Sequence, residues 1–336
     1  MLKSSHAGRT LLTQPGIIML DVAVIIVNYR TAQLAIDSVA ALIADPTMPL
    51  ASHIVVIDGA SGDGSAETIG RAITNNGWSD RVTLAPLAVN GGFAYGNNRG
   101  IEIANADHGG AQFYLLLNPD TVARTGAVRA MTDFLEQNPR AGIVGSRLED
   151  PDGTLQACSF KFPSALGELE SEARTGPVSR LLRPWRVVLP VTDQPTHADW
   201  VSGASMMIRR EVIEAVGLLD EGYFLYYEEL DFCRRAVDLG WQCWTVPTSR
   251  VVHLCGQSTG VSGKGPKLSR RPGYWFQSRQ RYFNKHHKGI GALVTDLGWL
   301  TGQGIWHLRC WLERKPNADA PKLVGDFLAN RGAKAD

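Results

Sequence analysis

The chain has 336 residues, of which 44% are hydrophobic and 20% charged, with a net charge of +1. That length buries a full core, as one large domain or a domain with an appendage. The balanced charge excludes a global pull toward nucleic acid or anionic lipid. Cys158, Cys233, Cys243, Cys255 and Cys310 form no CxxC pair, which argues for reduced thiols over a disulfide framework or zinc cluster. The apolar run Ile17–Leu20 is too short for a signal sequence, so the expected location is the cytoplasm, with residues 1–20 a loose leader.

In chain order, Val22–Val27 is a continuous β-branched run, the pattern of a parallel strand covered on both faces. It ends in Asn28-Tyr29-Arg30, after which Thr31 caps a helix with apolar Leu34, Val39, Leu42 and Ile43. A second buried strand, Ile54–Ile57, ends in Asp58 and a Gly/Ser/Asp turn over 59–65. Strand, turn and helix recur about every thirty residues, which predicts βαβ units and a mostly parallel sheet. A carboxylate at a strand end, such as Asp58, can accept hydrogen bonds from a base or ribose. The GxGxxG spacing is absent, against an NAD enzyme, and the turn also reads as a plain surface loop.

Asn90–Gly100 is dense in glycine and asparagine, which permits close approach of backbone N–H groups to a ligand, with a helix starting near Tyr95. The strand Leu115–Leu117 then breaks into Asn118-Pro119-Asp120, where the proline stops the ladder and turns Asp120 out of the sheet. Two roles are open to Asp120: a helix N-cap, or a hard oxygen ligand holding Mg²⁺ or Mn²⁺ against a diphosphate.

In the second half, residues 160–198, rich in proline and arginine, read as an insertion that shapes or covers a neighbouring site. Trp200 is a core or a sugar-stacking residue. Glu228, Glu229 and Asp231 stand at the start of a helix, with Glu228 and Asp231 on one face and Glu229 about 100° away. They either complement the helix dipole or supply a general base. His253 ends a short strand. Lys264, Lys267, Arg270, Arg271, Arg279, Arg281, Lys285 and Lys288 follow with no carboxylate between them; Lys267, Arg270 and Arg271 either close over phosphates or form a solvated loop. Residues 289–312 are apolar but interrupted, with Trp299, Trp306 and Trp311; a helix in the bilayer interface, a helix packed on the catalytic domain and a dimer interface are all open.

Val27-Asn28-Tyr29, Asp58 with Ala60-Ser61 and Asp63-Gly64-Ser65, Asn90–Ala94 with Gly96-Asn97-Asn98, and Leu116–Asp120 resemble, in order, the family 2 inverting glycosyltransferases, and within them the bacterial rhamnosyltransferases of cell-surface polysaccharide assembly. The resemblance runs from about residue 20 to 260 and departs at Gly59, where the family usually has asparagine. It implies a GT-A fold: a Rossmann-like, mostly parallel α/β sheet flanked by helices. The catalytic domain would span 21–260, with a nucleotide-sugar half over 21–120 and an acceptor half over 121–260, followed by a basic loop and helical extension over 261–336. It also implies a nucleotide-sugar donor, dTDP-rhamnose or a UDP-sugar, and a saccharide or polyprenyl-linked acceptor. On that resemblance Asn28, Arg30, Asp58, Gly92, Phe93, Asn98, Asn118 and Asp120 bind the donor, Asp120 and His253 hold a divalent metal, and Trp200 and Gly203 meet the acceptor. Glu229 matches the family's base, with Glu228 as runner-up and Asp231 orienting a partner. A non-catalytic sugar-nucleotide-binding scaffold and a nucleotidyltransferase are the competing readings.

Overall fold

The computed structural model describes residues 19–255, 269–287 and 289–331. The leader through residue 18, and Lys264, Lys267 and Lys288, lie outside the described residues.

The elements are β1 (Leu20–Asn28), α1 (Ala32–Ala44), β2 (Ser52–Asp58), α2 (Ser65–Asn75), β3 (Val82–Pro86), α3 (Gly92–His108), β4 (Ala111–Leu117), β5 (Thr121–Ala123), α4 (Ala127–Gln137), β6 (Ala141–Glu149), β7 (Ser159–Phe160), α5 (Ala165–Ala173), α6 (Gly176–Leu181), β8 (Thr196–Ala198), β9 (Trp200–Val201), β10 (Ser205–Arg209), α7 (Arg210–Val216), α8 (Glu228–Asp238), β11 (Gln242–His253), α9 (Gly273–His286), α10 (Ile290–Glu313) and α11 (Leu323–Ala329). Nine strands form one sheet in the order β3-β2-β1-β4-β10-β6-β11-β5, with β8 on β11; β7 and β9 pair separately. Strands β3, β2, β1 and β4 are parallel, β10 runs antiparallel between β4 and β6, and β11 is parallel to β6.

The expected doubly covered strand is visible residue by residue. Val22, Val24 and Ile26 of β1 enter one core with α1, α2 and α4, while Ala23 and Ile25 enter the opposite core with α3, α7 and α8. Such two-sided burial explains why β1 reads as an unbroken apolar run. In the parallel register Asn28 lies opposite Asp58 and Ile26 opposite Leu117. Three polar strand ends, Asn28, Asp58 and Asn118, therefore gather at one edge of the sheet.

Two local expectations change. Helix α3 starts at Gly92, not near Tyr95, and its glycines serve mainly helix–sheet packing: a Cβ on Gly96 would lie 2.7 Å from Val27, and one on Gly100 2.3 Å from Ile25. Thr31 precedes α1 as expected, but its hydroxyl donates to Asn28 Oδ1 at 3.0 Å and makes no side-chain cap.

The insertion is a docking platform for the C-terminal helices. α10 crosses α5 closely, because a Cβ on Gly298 would lie 2.2 Å from the Ala165 carbonyl oxygen and one on Gly302 2.7 Å from Glu172. Arg279 of α9, buried, donates to Glu168 at 2.7 Å and Asp296 at 2.6 Å. Trp299 is buried and stacked on Phe327, at 4.1 Å between centroids, so it belongs to this packing and not to an interfacial belt. Ile290, Leu293, Val294, Leu297, Leu308, Trp311 and Leu312 leave an exposed apolar strip on the other face of α10. Among the described residues, no helix is long and apolar enough to cross a membrane.

Candidate active site

A cavity of about 490 Å³ opens at the sheet edge where the polar strand ends meet. Its described lining includes Asn28 and Gly59 from the first two strand exits, Asn118, Pro119 and Asp120 from the third, and Gly203, Glu228, Glu229 and His253 from the second half. Gly92 and Phe93 close one side: Phe93 N donates to the Phe224 carbonyl at 2.8 Å, an approach that a Cβ on Gly92 (φ +86°) would block at 1.9 Å from the same oxygen.

Asp58 lies just behind this wall. Its buried carboxylate accepts from Asn28 Nδ2 at 2.8 Å, Ser61 Oγ at 2.6 Å and Ser61 N at 3.0 Å. Arg30 donates through Nε to the Ser61 carbonyl at 3.0 Å. Asp58 and Arg30 thus build the turn that carries Gly59 to the cavity. Asn98 is likewise buried away from the lining; it bonds the backbone N–H and C=O of Leu219 at 3.0 and 2.9 Å and latches α3 to the loop before α8.

Asp120 and His253 form a pair, with Oδ1 and Nε2 3.6 Å apart. Register explains the meeting, since Thr121 of β5 lies opposite His253 of β11. Burial opposes protonation of His253, but the hydrogen bond and charge of Asp120, with Cys255 assisting, hold it up at about 9. His253 Nδ1 lies 3.1 Å from Gln156 Oε1, which fixes the ring. Among the described residues no group of three His, Cys, Asp or Glu side chains gathers to hold a metal. The carboxylate of Asp120 and the imidazole of His253, which would give up its proton on metal binding, are donors that fit a divalent cation. Arg270 does not join them: it is paired with Asp326 at 2.6 Å, while Arg271 lies over the Trp275 ring at 4.0 Å.

On the other wall stand two carboxylates. Tyr226 and Tyr227 both adopt left-handed backbone (φ +69° and +70°), a strained arrangement that delivers Glu228 and Glu229 to the cavity at the first turn of α8. Glu228 Oε2 and Glu229 Oε2 are buried and, among the described residues, have no hydrogen-bond partner. Burial, and then the charge of Glu229, pushes Glu228 well above the usual carboxylate range; burial also raises Glu229, opposed in part by nearby backbone amides, Gly203 among them. A Cβ on Gly203 would meet Glu229 Cβ at 3.4 Å, an ordinary contact, so Gly203 acts on Glu229 through its backbone amide.

Asp231 does not share that wall, although helical geometry groups it with Glu228. Its buried carboxylate is taken by His286 at 2.7 Å, Lys285 at 2.8 Å and Arg235 at 2.8 Å, all on the side facing α9. Burial works against its charge, but His286, Lys285 and Arg235 hold it well below the usual carboxylate range. Trp200 also lies off the cavity: it stacks on Phe160 at 4.1 Å and donates to the Lys161 carbonyl at 3.0 Å. Phe224, Tyr226 and Tyr274 line the cavity and were missed, although an aromatic run directly before Glu228 marked the first two.

A parallel first half, an antiparallel strand inserted at β10 and a cavity at the strand exits match the GT-A fold. Residues 20–271 match the glycosyltransferase-like family 2, and the chain belongs to that family. Among curated relatives, the N-acetylglucosaminyl-diphospho-decaprenol L-rhamnosyltransferase of Mycobacterium tuberculosis is 28% identical over 270 residues, covering 76% of this chain and 79% of that one. The rhamnosyltransferase WbbL of Escherichia coli is 25% identical over 167 residues, covering 48% and 60%. The mannosyltransferase PcManGT of Pyrobaculum calidifontis, solved with GDP-Man and Mn²⁺, matches with a TM-score of 0.51 at 16% identity, over 93% of this chain and 81% of its own. GalNAc-T7, solved with UDP, GalNAc and Mn²⁺, gives the same TM-score and identity over 71% of this chain and 44% of that longer one.

Proposed function

We propose that this glycosyltransferase moves L-rhamnose from dTDP-rhamnose to a lipid-linked saccharide, with metal dependence and inversion at the anomeric carbon. The observation that carries the reading is a single cavity holding Asp120, at the exit of a central parallel strand, together with two glutamates that each keep one buried carboxylate oxygen without a hydrogen-bond partner among the described residues. The names of the curated relatives support the sugar and the acceptor class.

In this reading Asn28, Gly59, Gly92 and Phe93 border the nucleoside, with Asp58, Arg30 and Asn98 holding those elements from behind. Asn118, Asp120 and His253 meet the diphosphate, and Asp120 and His253 would hold the divalent cation. Bound there, the cation neutralises charge that develops on the leaving nucleoside diphosphate. Burial and mutual repulsion keep one proton on the pair, and in this reading Glu229, which backbone amides including that of Gly203 favour as the anion, is the ionised member. Glu229 takes the proton of an acceptor hydroxyl as its oxygen bonds to the anomeric carbon. The bond from that carbon to the diphosphate oxygen breaks on the opposite face, and the proton remains on Glu229. The exposed strip of α10 is the face we assign to the inner surface of the membrane; vesicle co-sedimentation of wild type against Trp311→Ser tests it, and concentration-dependent dimerisation without vesicle binding would assign it to a dimer.

Calorimetric titration with a panel of dTDP-, UDP- and GDP-sugars, with and without Mn²⁺, tests the site. Binding of dTDP-rhamnose that requires Mn²⁺ and is lost in Asp120→Ala is expected; retained metal-dependent affinity in that variant refutes the metal assignment. Glu229→Gln should bind donor normally yet transfer at least ~100-fold more slowly, and full turnover would move the base to Glu228.

A further inference from the structure

The cavity has a wall that the donor reading leaves without a task. Phe224, Tyr226 and Tyr274 line it, with Tyr274 packed against both others: 5.3 Å between ring centroids to Phe224, and 6.2 Å at an interplanar angle of 26° to Tyr226. Tyr274 belongs to α9, beyond the residues that match the family, so this wall is partly built by the C-terminal extension. The left-handed backbone at Tyr226 and Tyr227 splits the two tyrosines. Tyr227 packs inward on Trp275, Tyr282 and Phe283, while Tyr226 stays on the cavity side, two residues before Glu228.

The wall is also held rigidly to the carboxylates. Ser278 Oγ donates to the Leu225 carbonyl at 3.0 Å, Arg281 and Lys285 each reach Asp220 at 2.8 Å, and Lys285 and His286 reach Asp231 on α8. A diphosphate calls for charged partners, which Phe224, Tyr226 and Tyr274 do not offer. Flat, half-buried phenol rings suit a pyranose, whose C–H face packs on an aromatic surface while its hydroxyls stay at the rim.

We propose that Tyr274 and Tyr226 form an aromatic platform that binds the acceptor's terminal sugar ring and presents its hydroxyl to Glu229. The proposal rests on the transferase reading above. It makes Tyr274 a binding residue of the acceptor and gives the C-terminal helix α9 a direct part in choosing a pyranose acceptor.

The test compares wild type with Tyr274→Ala, Tyr274→Leu and Tyr274→Phe, using dTDP-rhamnose, Mn²⁺ and a short-chain prenyl-diphosphate-linked N-acetylglucosamine as acceptor. Stacking predicts an acceptor KM raised about tenfold in the alanine and leucine variants, near wild type in the phenylalanine variant, with the donor Kd unchanged in all. The leucine variant keeps bulk, so it separates stacking from space filling, and thermal melts confirm that each variant folds. An unchanged acceptor KM in Tyr274→Ala, a wild-type KM in Tyr274→Leu, or a donor Kd that rises in step overturns the platform. If wild type binds donor but does not turn over this acceptor, the acceptor assignment fails. Saturation-transfer NMR of methyl N-acetylglucosaminide on the four donor-loaded proteins then reads the platform alone. Signal in wild type and Tyr274→Phe, lost in the other two, supports it; equal signal in all four refutes it.

Discussion

Asp231 looks like a third catalytic acid in the sequence, and the structure gives it a different task that one substitution separates. Asp231→Asn preserves shape but removes the charge that balances Arg235, Lys285 and His286, at 2.8, 2.8 and 2.7 Å. Breaking a buried ion pair by neutralising one partner costs about 3–5 kcal/mol. Here Lys285 and Arg235 keep 33% and 21% of their side-chain surface exposed, so water takes over part of the lost interaction. We therefore expect about 3 kcal/mol, or a Tm lower by about 4 °C in a chain of this size. The pH dependence has a definite sign. Asp231 is held below its unfolded-state pKa, so its stabilisation is present above about pH 4 and fades as the pH falls further. Calorimetric scans between pH 3 and 8 should show a gap between wild type and variant that is full near neutrality and narrows at the acid end. Donor affinity measured well below Tm should be unchanged. A Tm within about 1 °C of wild type, combined with a ~100-fold loss of turnover, would refute the reasoning and return Asp231 to the chemistry.

Glu228 should behave oppositely: its carboxyl is pushed up in the folded state, so ionising it on unfolding makes stability fall as pH rises above the ordinary carboxylate range, and Glu228→Gln should melt higher than wild type at pH 8 but not at pH 4. Equal melting curves at both pH values would contradict the buried, repelling pair. Gly92→Ala should cost about 3 kcal/mol in urea unfolding, from left-handed backbone plus overpacking against the Phe224 carbonyl, whereas Gly126→Ala, at φ +83° with open space around it, should cost about 1 kcal/mol. Similar losses in the two variants would show that the contact with Phe224 is unimportant.

The parallel half of the fold was legible because its strands are buried on both faces: Val22–Val27 and Leu115–Leu117 read as apolar runs, and each run stops at the polar residue that reaches the site edge. Asp120 stood out as a carboxylate just past a strand end and His253, at the end of β11, through the family resemblance; register brings them within 3.6 Å. Gly92 lines the cavity, but Gly96 and Gly100 misled, because a Cβ-free surface serves a tight helix–sheet contact as well as a ligand, and residue type alone does not distinguish them. Trp200 misled in the same way; only its stacking on Phe160 shows which side it faces. Helical angle grouped Glu228 with Asp231, but cations on α9, more than fifty residues further along, pull Asp231 the other way. The antiparallel insertion of β10 and the role of residues 160–198 had no local signal, since both are set by long-range packing.

That long-range packing ties the proposed catalytic glutamates to α9 and α10, which lie beyond the residues that match the family. Insertion helix α5 holds α10 through backbone contacts at Gly298 and Gly302, and Arg279, buried between Glu168 and Asp296, joins α5, α9 and α10 by charge. α9 in turn clamps Asp220 and Asp231, which bracket the strained Tyr226-Tyr227 turn and the two glutamates. Left-handed backbone at two successive tyrosines persists only where surrounding contacts over-determine it. Contacts from α9 join those of Phe93 and Asn98 on α3, so the geometry of Glu228 and Glu229 depends in part on a helix beyond the family match. Substitutions in α5 or α10 that loosen the Arg279 junction should thus reach turnover through the glutamate turn, while the nucleotide side, built on β1, β2 and β4, stays intact.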